Sequence, residues 1–349
     1  MNAAQRLLEI FNDPDIVELI VNDDGSVYVE RFQAKLERLP IEAAPADVAA
    51  FLKQLTGESV LGPQRPFADL TAADGSRVHV LCPPIVRGGM AVTIRKRPRR
   101  RMSLDELTQG ATATEACAAL LKYAVQQRKN ILVAGGTSSG KTTLLNALCG
   151  EIAVGDRIVV AEEVPELTLP QPHVVYLKTR LRDSQGLVDV TLRDLVVNTL
   201  RMRPDRVIVG EVRGAEVLDM LQAMNIGQEG VMVTLHANSC REALQRLETL
   251  VLMAGIDMPL RAVRGNVALA VDLLVFVARL SDGTRRIVQV SEVTGMELDN
   301  ILLSDIFVTE TRKVRQGPAF SLRPTGAIPR FFEKLQQEGF EPPFHLFKA

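Results

Sequence analysis

A glycine-rich segment with one lysine and two threonines carries the clearest chemistry in this sequence. It reads Gly135-Gly136-Thr137-Ser138-Ser139-Gly140-Lys141-Thr142-Thr143 and contains the pattern G-x-x-x-x-G-K-T. The glycines let backbone N–H groups converge on phosphate oxygens, Lys141 reaches the β- and γ-phosphates, and the Thr142 hydroxyl can bind Mg²⁺. An apolar run precedes the segment and an amphipathic run follows it, so the loop meets a helix N-terminus. The segment predicts a phosphate-binding loop for a nucleoside triphosphate.

An acidic residue further along the chain is a candidate for water activation. Glu211 lies at the carboxyl end of an apolar run, 207–209, where an open parallel sheet places its ligands. We expect Glu211 to polarise the attacking water or to hold Mg²⁺ through water. A helix cap or a solvated loop residue is the alternative. Gly210 stands where many proteins with this loop carry an aspartate, so metal binding falls to other acids.

Two other apolar runs end in chemically active residues. Glu162 and Glu163 follow the run 158–161, and adjacent strand residues point to opposite faces. We expect Glu162 to face the attacking water and Glu163 to bind Mg²⁺ in part through water, with the reverse assignment open. His236 ends the run 231–235 and is expected to sense the γ-phosphate or to hydrogen-bond a catalytic acid. A purely structural histidine is the alternative.

The elements that position these residues fall into two domains. Residues 1–98 alternate short apolar runs with turn signals, which predicts a small α+β domain. A basic linker is expected over residues 99–112. From residue 113 to residue 349, apolar strands alternate with helices, which predicts an α/β domain with a largely parallel sheet covered on both faces. We expect a helical extension at its C-terminus.

Composition narrows the class of partner. Forty-one basic and 42 acidic residues leave a formal charge of −1, so no global field favours nucleic acid or anionic membrane. The four cysteines form no C-x-x-C pair, which disfavours a zinc knuckle and favours a reducing compartment. No apolar run reaches the length of about 18 residues needed for a membrane span. We therefore expect a cytoplasmic protein that reaches a membrane through docking.

Four segments together resemble one family. They are GGTSSGKTTLLNAL, RIVVAEEVPELTLPQPHVV, RMRPDRVIVGEVRGAEVLDMLQAMNIGQEGVMVTLHANS and REALQRLETLVLMAG. They resemble the P-loop, Asp box, Walker B and His box regions of the type II/type IV secretion ATPase superfamily. Within it, the chain is most similar to the CpaF-type branch, the ATPases of tight-adherence (Flp-type) pili. The similarity covers most of the chain.

The resemblance implies further expectations. They are a PAS-like N-terminal domain, a RecA-like ATPase domain, ATP and Mg²⁺ as ligands, and a homo-hexamer with nucleotide between domains. Arg77 and Arg95 match arginines of the N-terminal domain that contact phosphate, and Arg213 is expected to join that interface. Such a motor drives assembly of a pilus through an inner-membrane platform protein, with retraction left open. It docks at the inner face of the bacterial inner membrane.

Two features depart from the family pattern. The Asp box has Glu162-Glu163 where Glu-Asp is usual, which leaves the division of roles between them open. The chain begins close to its N-terminal domain, so regulation or localisation by a long leader is not expected.

Three other functions compete with the pilus motor. An ATPase of conjugation, effector export or type II secretion has the same catalytic motifs. A nucleic-acid translocase is disfavoured, because the chain has no Trp and 4% aromatic residues, and it shows no basic stripe with aromatic platforms. A nucleotide-dependent switch with negligible turnover is disfavoured by the presence of Lys141, Thr142 and Glu211 together.

Overall fold

The computed structural model describes residues 2–31, 34–57, 62, 64–97, 101–180, 188–314, 317–337 and 343–348. The chain forms two compact units, Met1–Arg100 and Arg101–Ala349. Residues 99 and 100 of the predicted basic linker lie outside the described residues.

The first unit is a six-stranded sheet with two helices. Its helices are α1 (Ala3–Asn12) and α2 (Pro45–Thr56), and its strands are β1 (Ile16–Val21), β2 (Ser26–Arg31), β3 (Glu37–Glu42), β4 (Phe67–Thr71), β5 (Arg77–Leu81) and β6 (Ala91–Arg95). The strand order is β3-β2-β1-β6-β5-β4, and all neighbours are antiparallel. Alternate strand residues pack with Leu7, Phe11 and Phe51 of the helices into one core. The predicted small α+β domain is therefore confirmed.

The second unit contains a nine-stranded mixed sheet. Its strands are β7 (Ile131–Gly135), β8 (Ile158–Glu162), β9 (Val174–Lys178), β10 (Arg206–Val212), β11 (Met232–His236), β12 (Leu273–Arg279), β13 (Arg285–Glu297), β14 (Asn300–Val314) and β15 (Gly317–Pro324). They lie in the order β15-β14-β13-β12-β7-β11-β10-β8-β9. The six strands from β12 to β9 are mutually parallel, whereas β13, β14 and β15 join them in antiparallel pairs.

Helices cover both faces of this sheet and create two separate cores. The helices are α3 (Leu104–Gln109), α4 (Glu115–Gln126), α5 (Lys141–Cys149), α6 (Leu192–Thr199), α7 (Glu216–Asn225), α8 (Cys240–Met253), α9 (Leu260–Ala270), α10 (Phe331–Gln337) and a 3-10 turn (Phe344–Phe347). Helices α3, α4 and α5 bury apolar residues in one core, and α6 to α9 bury theirs in the other. A sheet that is buried on both faces needs apolar residues at successive strand positions, as the sequence of β7 shows.

Two segments differ from the sequence-based expectation. Part of the predicted basic linker is helix α3, because Ser103 and Glu106 form a capping box and Leu104 and Leu107 are buried in the core of the second unit. Within the described residues, the expected helical extension is mostly the antiparallel strands β13, β14 and β15, followed by the short α10 and the 3-10 turn. β13 and β14 are rich in β-branched residues, which favour a pleated surface over a helix.

The described residues contain neither a membrane-spanning helix nor a cluster of metal-binding side chains. Within these residues, none of the helices combines the length and apolarity that crossing a bilayer requires. The same residues contain no cluster of three or more His, Cys, Asp or Glu side chains suited to a metal ion. All four cysteines are buried free thiols.

Candidate functional site

The glycine-rich loop joins β7 to α5 at the carboxyl edge of the parallel strands, as the sequence predicts. Two of its residues have left-handed backbone, Ser138 with φ 55° and Gly140 with φ 100°. A side chain at Gly135 would lie 2.4 Å from Ser139 Oγ and 2.5 Å from the Val277 carbonyl oxygen. The narrow turn therefore requires glycine at its start and a residue without Cβ before the helix.

The loop has the features of a phosphate cradle. The Ser139 hydroxyl is buried and has no hydrogen-bond partner among the described residues. The Lys141 ammonium donates to the carbonyl oxygen of Gly136 in its own loop, at 2.9 Å. A Cβ added at Gly136 would meet no atom within 4 Å, so the space above the loop is open. A buried hydroxyl and a lysine turned back onto its own loop fit the arrival of phosphate oxygens.

A bulge in β10 directs Glu211 toward this loop. Val209 pairs with Val233 and Val212 pairs with Leu235, so β10 has one residue more than β11 across this step. Val209 and Val212 consequently bury their side chains in the same core, although they are three positions apart and a regular strand would point them to opposite faces. The extra residue turns Glu211 to the opposite face, where α5 begins. Glu211 Oε1 lies 3.6 Å from Lys141 Nζ.

A row of ion pairs extends from Lys141 and Glu211 toward the end of β8. Arg213 hydrogen-bonds Oε2 of Glu211 through Nε, at 2.9 Å, and through Nη2. Arg213 Nη1 also lies 3.3 Å from Glu163 Oε2. Partial burial raises the pKa of Glu211, but the Arg213 hydrogen bond and the Lys141 charge outweigh it and leave this pKa below its ordinary value. Glu211 is thus held as a carboxylate between two cations.

The side chain of Glu162 is buried and does not lie in the water-facing position expected from the sequence. Its side chain is 3% exposed, and Oε1 accepts the backbone N–H groups of Glu166, at 2.9 Å, and Leu167, at 3.0 Å. A Cβ at Gly210 would lie 2.9 Å from Glu162 Cγ, so Glu162 occupies the space beside the glycine. The expected alternation holds, because Glu162 turns inward and Glu163 turns to Arg213. The structure therefore does not place Glu162 as the water-facing group in this conformation.

The remaining loop and strand-end residues surround the same edge. Thr142 and Thr143 lie in the first turn of α5 and are half-buried. Thr137 is exposed at the tip of the loop. His236 is the last residue of β11, directly opposite Gly135, and its side chain is exposed. The strand order thus brings His236 next to the glycine-rich loop, although the loop lies far earlier in the sequence.

The two arginines predicted in the first unit are neighbours on its sheet. Arg77 of β5 pairs directly with Arg95 of β6, on the face opposite the helices α1 and α2. Glu18 of β1 follows in the same row. The structure therefore brings these two guanidinium groups to one surface of the first unit.

One residue near the loop escaped sequence reasoning. Arg285, the first residue of β13, donates from Nε to the carbonyl oxygen of Ser138, at 2.9 Å. Its sequence context, Thr284-Arg285-Arg286, resembles an exposed polar turn. Only the order of strands, with β12 beside β7, brings this arginine over the phosphate loop.

Comparison with known proteins identifies the class. The family described as "Type II/IV secretion system protein" matches residues 67–307, which cover more than half of the chain. This chain belongs to the type II/IV secretion system protein family. Its predicted fold, a P-loop ATPase domain of α/β type preceded by a smaller domain, agrees with solved structures. DotB from Legionella pneumophila has a TM-score of 0.59 at 18% identity, covering 81% of this chain and 78% of DotB.

A second structure supports the same fold. The pilus retraction motor PilT has a TM-score of 0.56 at 17% identity, covering 97% of this chain and 88% of PilT. The chain has the architecture of secretion and pilus-motor ATPases, which fits the phosphate loop and carboxylate described above.

Three sequence relatives are more informative about the branch. The conjugal transfer protein TrbB of Rhizobium radiobacter is 36% identical over 297 residues, which span 84% of this chain and 88% of TrbB. The type IV secretion system protein PtlH of Bordetella pertussis is 35% identical over 301 residues, spanning 78% of this chain and 88% of PtlH.

The third relative is a Mycobacterium tuberculosis protein named for conjugal transfer. It is 41% identical over 221 residues, which span 63% of this chain and 62% of the relative, so less than two thirds of its length is matched. The names of all three relatives point to conjugation or type IV secretion. The superfamily predicted from sequence is therefore confirmed, whereas its tight-adherence pilus branch stays a prediction.

Proposed function

We propose that this chain is an ATP-hydrolysing motor subunit of a type IV secretion or conjugation machine. The observation that carries the ATPase role is the pairing of Lys141 with Glu211 at the mouth of the phosphate loop, 3.6 Å apart. The names of TrbB and PtlH favour conjugation and type IV secretion over the pilus motor first expected from sequence. The pilus motor is the second candidate, supported by the likeness of the fold to PilT.

Nucleotide binding begins with the phosphate loop. Backbone N–H groups of residues 136–142 and the Ser139 hydroxyl receive phosphate oxygens, and Lys141 exchanges the Gly136 carbonyl oxygen for the β- and γ-phosphates. Thr142, and Glu163 through water, would hold Mg²⁺, which neutralises charge on the phosphate oxygens. Movement of Lys141 also releases Glu211 from one of its two cations.

Hydrolysis then depends on Glu211. A water oxygen attacks the γ-phosphorus, the bond from that phosphorus to the bridging oxygen breaks, and ADP and phosphate form. Glu211 orients this water and accepts its hydrogen bond, while Arg213 keeps Glu211 ionised and anchored to Glu163. His236, at the adjacent strand end, is placed to read the γ-phosphate. Glu162 supports this edge by holding the backbone after β8.

Assembly and location form the remaining part of the proposal. We propose a homo-hexamer in the cytoplasm, docked through an inner-membrane platform protein, in which Arg77 and Arg95 supply positive charge to the nucleotide. The basis is the family to which the chain belongs, together with the adjacent placement of these two arginines on one sheet face. Guanidinium groups suit the charge that spreads over phosphoryl oxygens during transfer.

The test is steady-state ATP hydrolysis measured together with oligomeric state. We expect a wild-type hexamer to hydrolyse ATP without nucleic acid. Lys141→Ala should lose nucleotide binding, and Glu211→Gln should keep it while kcat falls by about 100-fold or more. Glu229→Gln is the matched control, because the same substitution there affects an exposed residue just before β11, at the opposite end of the strand.

The outcomes separate the parts of the proposal. Normal turnover by Glu211→Gln would refute its role as the water-orienting carboxylate. Activity that appears only with DNA or RNA would favour the translocase. A wild-type protein that binds ATP without turnover would favour the switch. Arg77→Ala and Arg95→Ala test the proposed contribution of these two arginines to the nucleotide site, since each should lower kcat while the oligomer persists.

A further inference from the structure

The hairpin between β12 and β13 forms one wall of the phosphate loop. β12 runs parallel to β7, and Val277 pairs with Gly135 at the point where the loop begins. Eight residues later the chain has reversed, and Arg285 pairs with Arg279 across the hairpin. This reversal brings the Arg285 side chain back over the loop.

Arg285 contacts the loop at its two left-handed positions. Its Nε donates to the carbonyl oxygen of Ser138, at 2.9 Å. Its Cδ would lie 3.4 Å from a Cβ at Gly140, so the side-chain stem covers the glycine that precedes α5. Ser138, with φ 55°, is in a backbone region that residues other than glycine adopt at a cost. A charged donor on its carbonyl oxygen stabilises that orientation of the peptide.

The turn that presents Arg285 is itself well ordered by hydrogen bonds. Asp282 Oδ1 accepts from the Thr284 N–H at 2.9 Å and from its hydroxyl at 2.6 Å. Gly283, with φ 90°, donates its N–H to Leu280, and the Leu280 N–H returns to Thr284. These hydrogen bonds are all within the turn that carries Arg285, and they fix its course at the edge of the loop.

We propose that Arg285 is a positioning residue that holds the phosphate loop in its binding conformation. A loop carbonyl oxygen turned toward Arg285 leaves the following N–H groups directed at the phosphate space, which is the arrangement that a phosphate needs. Arg285 acts on the loop backbone, so it lowers the conformational cost of binding. The proposal rests on the nucleotide site proposed above and adds a residue outside the family motifs quoted for it.

The experiment compares nucleotide affinity in four full-length proteins. They are the wild type, Arg285→Ala, Arg285→Lys and the neighbouring control Arg286→Ala, whose arginine hydrogen-bonds Thr284 instead of the loop. Fluorescent ADP and ATP analogues report dissociation constants, steady-state hydrolysis gives KM and kcat, and thermal unfolding reports folding. Arg285→Ala should weaken both nucleotides by about tenfold or more, since one charge-assisted hydrogen bond is lost.

A positioning role predicts a pattern that a merely structural role does not. KM should rise more than kcat falls, ADP and ATP should weaken by similar factors, and Arg286→Ala should bind as the wild type does. Arg285→Lys should recover only part of the affinity, because an ammonium on a flexible stem lacks the fixed Nε donor. Methylguanidinium added to Arg285→Ala should restore part of it as well.

Other results would overturn the inference. Unchanged affinity in a folded Arg285→Ala protein would do so, as would equal losses in Arg285→Ala and Arg286→Ala. If Lys141→Ala loses binding while Arg285→Ala keeps it, the nucleotide site stands and only the role of Arg285 fails. If the wild type binds neither analogue, the proposed function itself fails.

Discussion

The glycine beside the candidate carboxylate offers a quantitative test of the site. Gly210 does not have a positive φ, so its requirement for glycine concerns space. In Gly210→Ala, the new methyl group would lie 2.9 Å from Glu162 Cγ and 3.5 Å from its Cβ and Oε1. No backbone atom is among these three nearest neighbours, so relief must come from Glu162. We expect the variant to lower the free energy of unfolding by about 1–3 kcal/mol.

The magnitude follows from what Glu162 holds. Two backbone N–H groups, those of Glu166 and Leu167, donate to its carboxylate, and hydrogen bonds to charged groups contribute about 1.5–3 kcal/mol each. Glu162→Ala should therefore destabilise more strongly than Gly210→Ala. In the double variant the methyl group at position 210 loses its 2.9 Å contact with Cγ, and the Cβ of residue 162, at 3.5 Å, is in ordinary van der Waals contact. A coupling free energy of about 1–3 kcal/mol between the two sites is expected.

The assay is urea unfolding followed by circular dichroism, without nucleotide, on the two single variants and the double variant. Gly155→Ala is the control, because a Cβ there meets no atom within 4 Å. Additive effects of Gly210→Ala and Glu162→Ala would refute the reasoning. So would a Gly210→Ala protein as stable as Gly155→Ala, because Glu162 would then not be fixed.

Three further predictions concern groups buried away from the loop. Asp156→Ala should cost about 3–5 kcal/mol of unfolding free energy in urea titrations, because Arg206, 1% exposed, would keep its charge without the carboxylate 2.8 Å from it; an effect under 1 kcal/mol would contradict this. Burial raises the pKa of Glu292 despite the hydrogen bond from the Arg330 N–H. Glu292 contributes its full share to the free energy of unfolding below its unfolded-state pKa, and this contribution is lost as pH rises through its folded-state pKa. Glu292→Gln should therefore flatten the decrease of unfolding free energy with pH over that range. Parallel curves of unfolding free energy against pH for the two proteins would argue against it. Burial also raises the pKa of Cys117 to about 12, so a thiol-reactive disulfide should label it only on unfolding, and rapid labelling of the native protein would be inconsistent with this.

The sequence was most informative where strand, loop and helix signals coincide. The loop that leads to Lys141 and the apolar runs that end in Glu211 and His236 all follow predicted strands, and the parallel order of β7, β10 and β11 brings them to one sheet edge. The rule behind this success is that parallel strands share a carboxyl edge. It needs only strand positions, which hydrophobic pattern supplies.

Other features depend on packing that no local pattern encodes. The burial of Glu162 follows from the absence of a side chain at Gly210 on the next strand. The contact of Arg285 with the loop depends on β12 lying beside β7, which strand order alone determines. The predicted C-terminal helical extension is mostly strands β13, β14 and β15, whose antiparallel pairing with β12 and with one another is not encoded in any one of them. The place of such residues in the site can be inferred only once strands that are distant in sequence are known to lie side by side.

The bulge in β10 makes the position of Glu211 depend on the number of residues in this strand. Two residues, Gly210 and Glu211, separate Val209 from Val212, where a regular strand would have one. Deleting Gly210 would restore even spacing but move Glu211 into the position of Gly210, where a Cβ would lie 2.9 Å from Glu162 Cγ, and so away from its present place beside Lys141. The number of residues in this strand is therefore as important for the site as their identity.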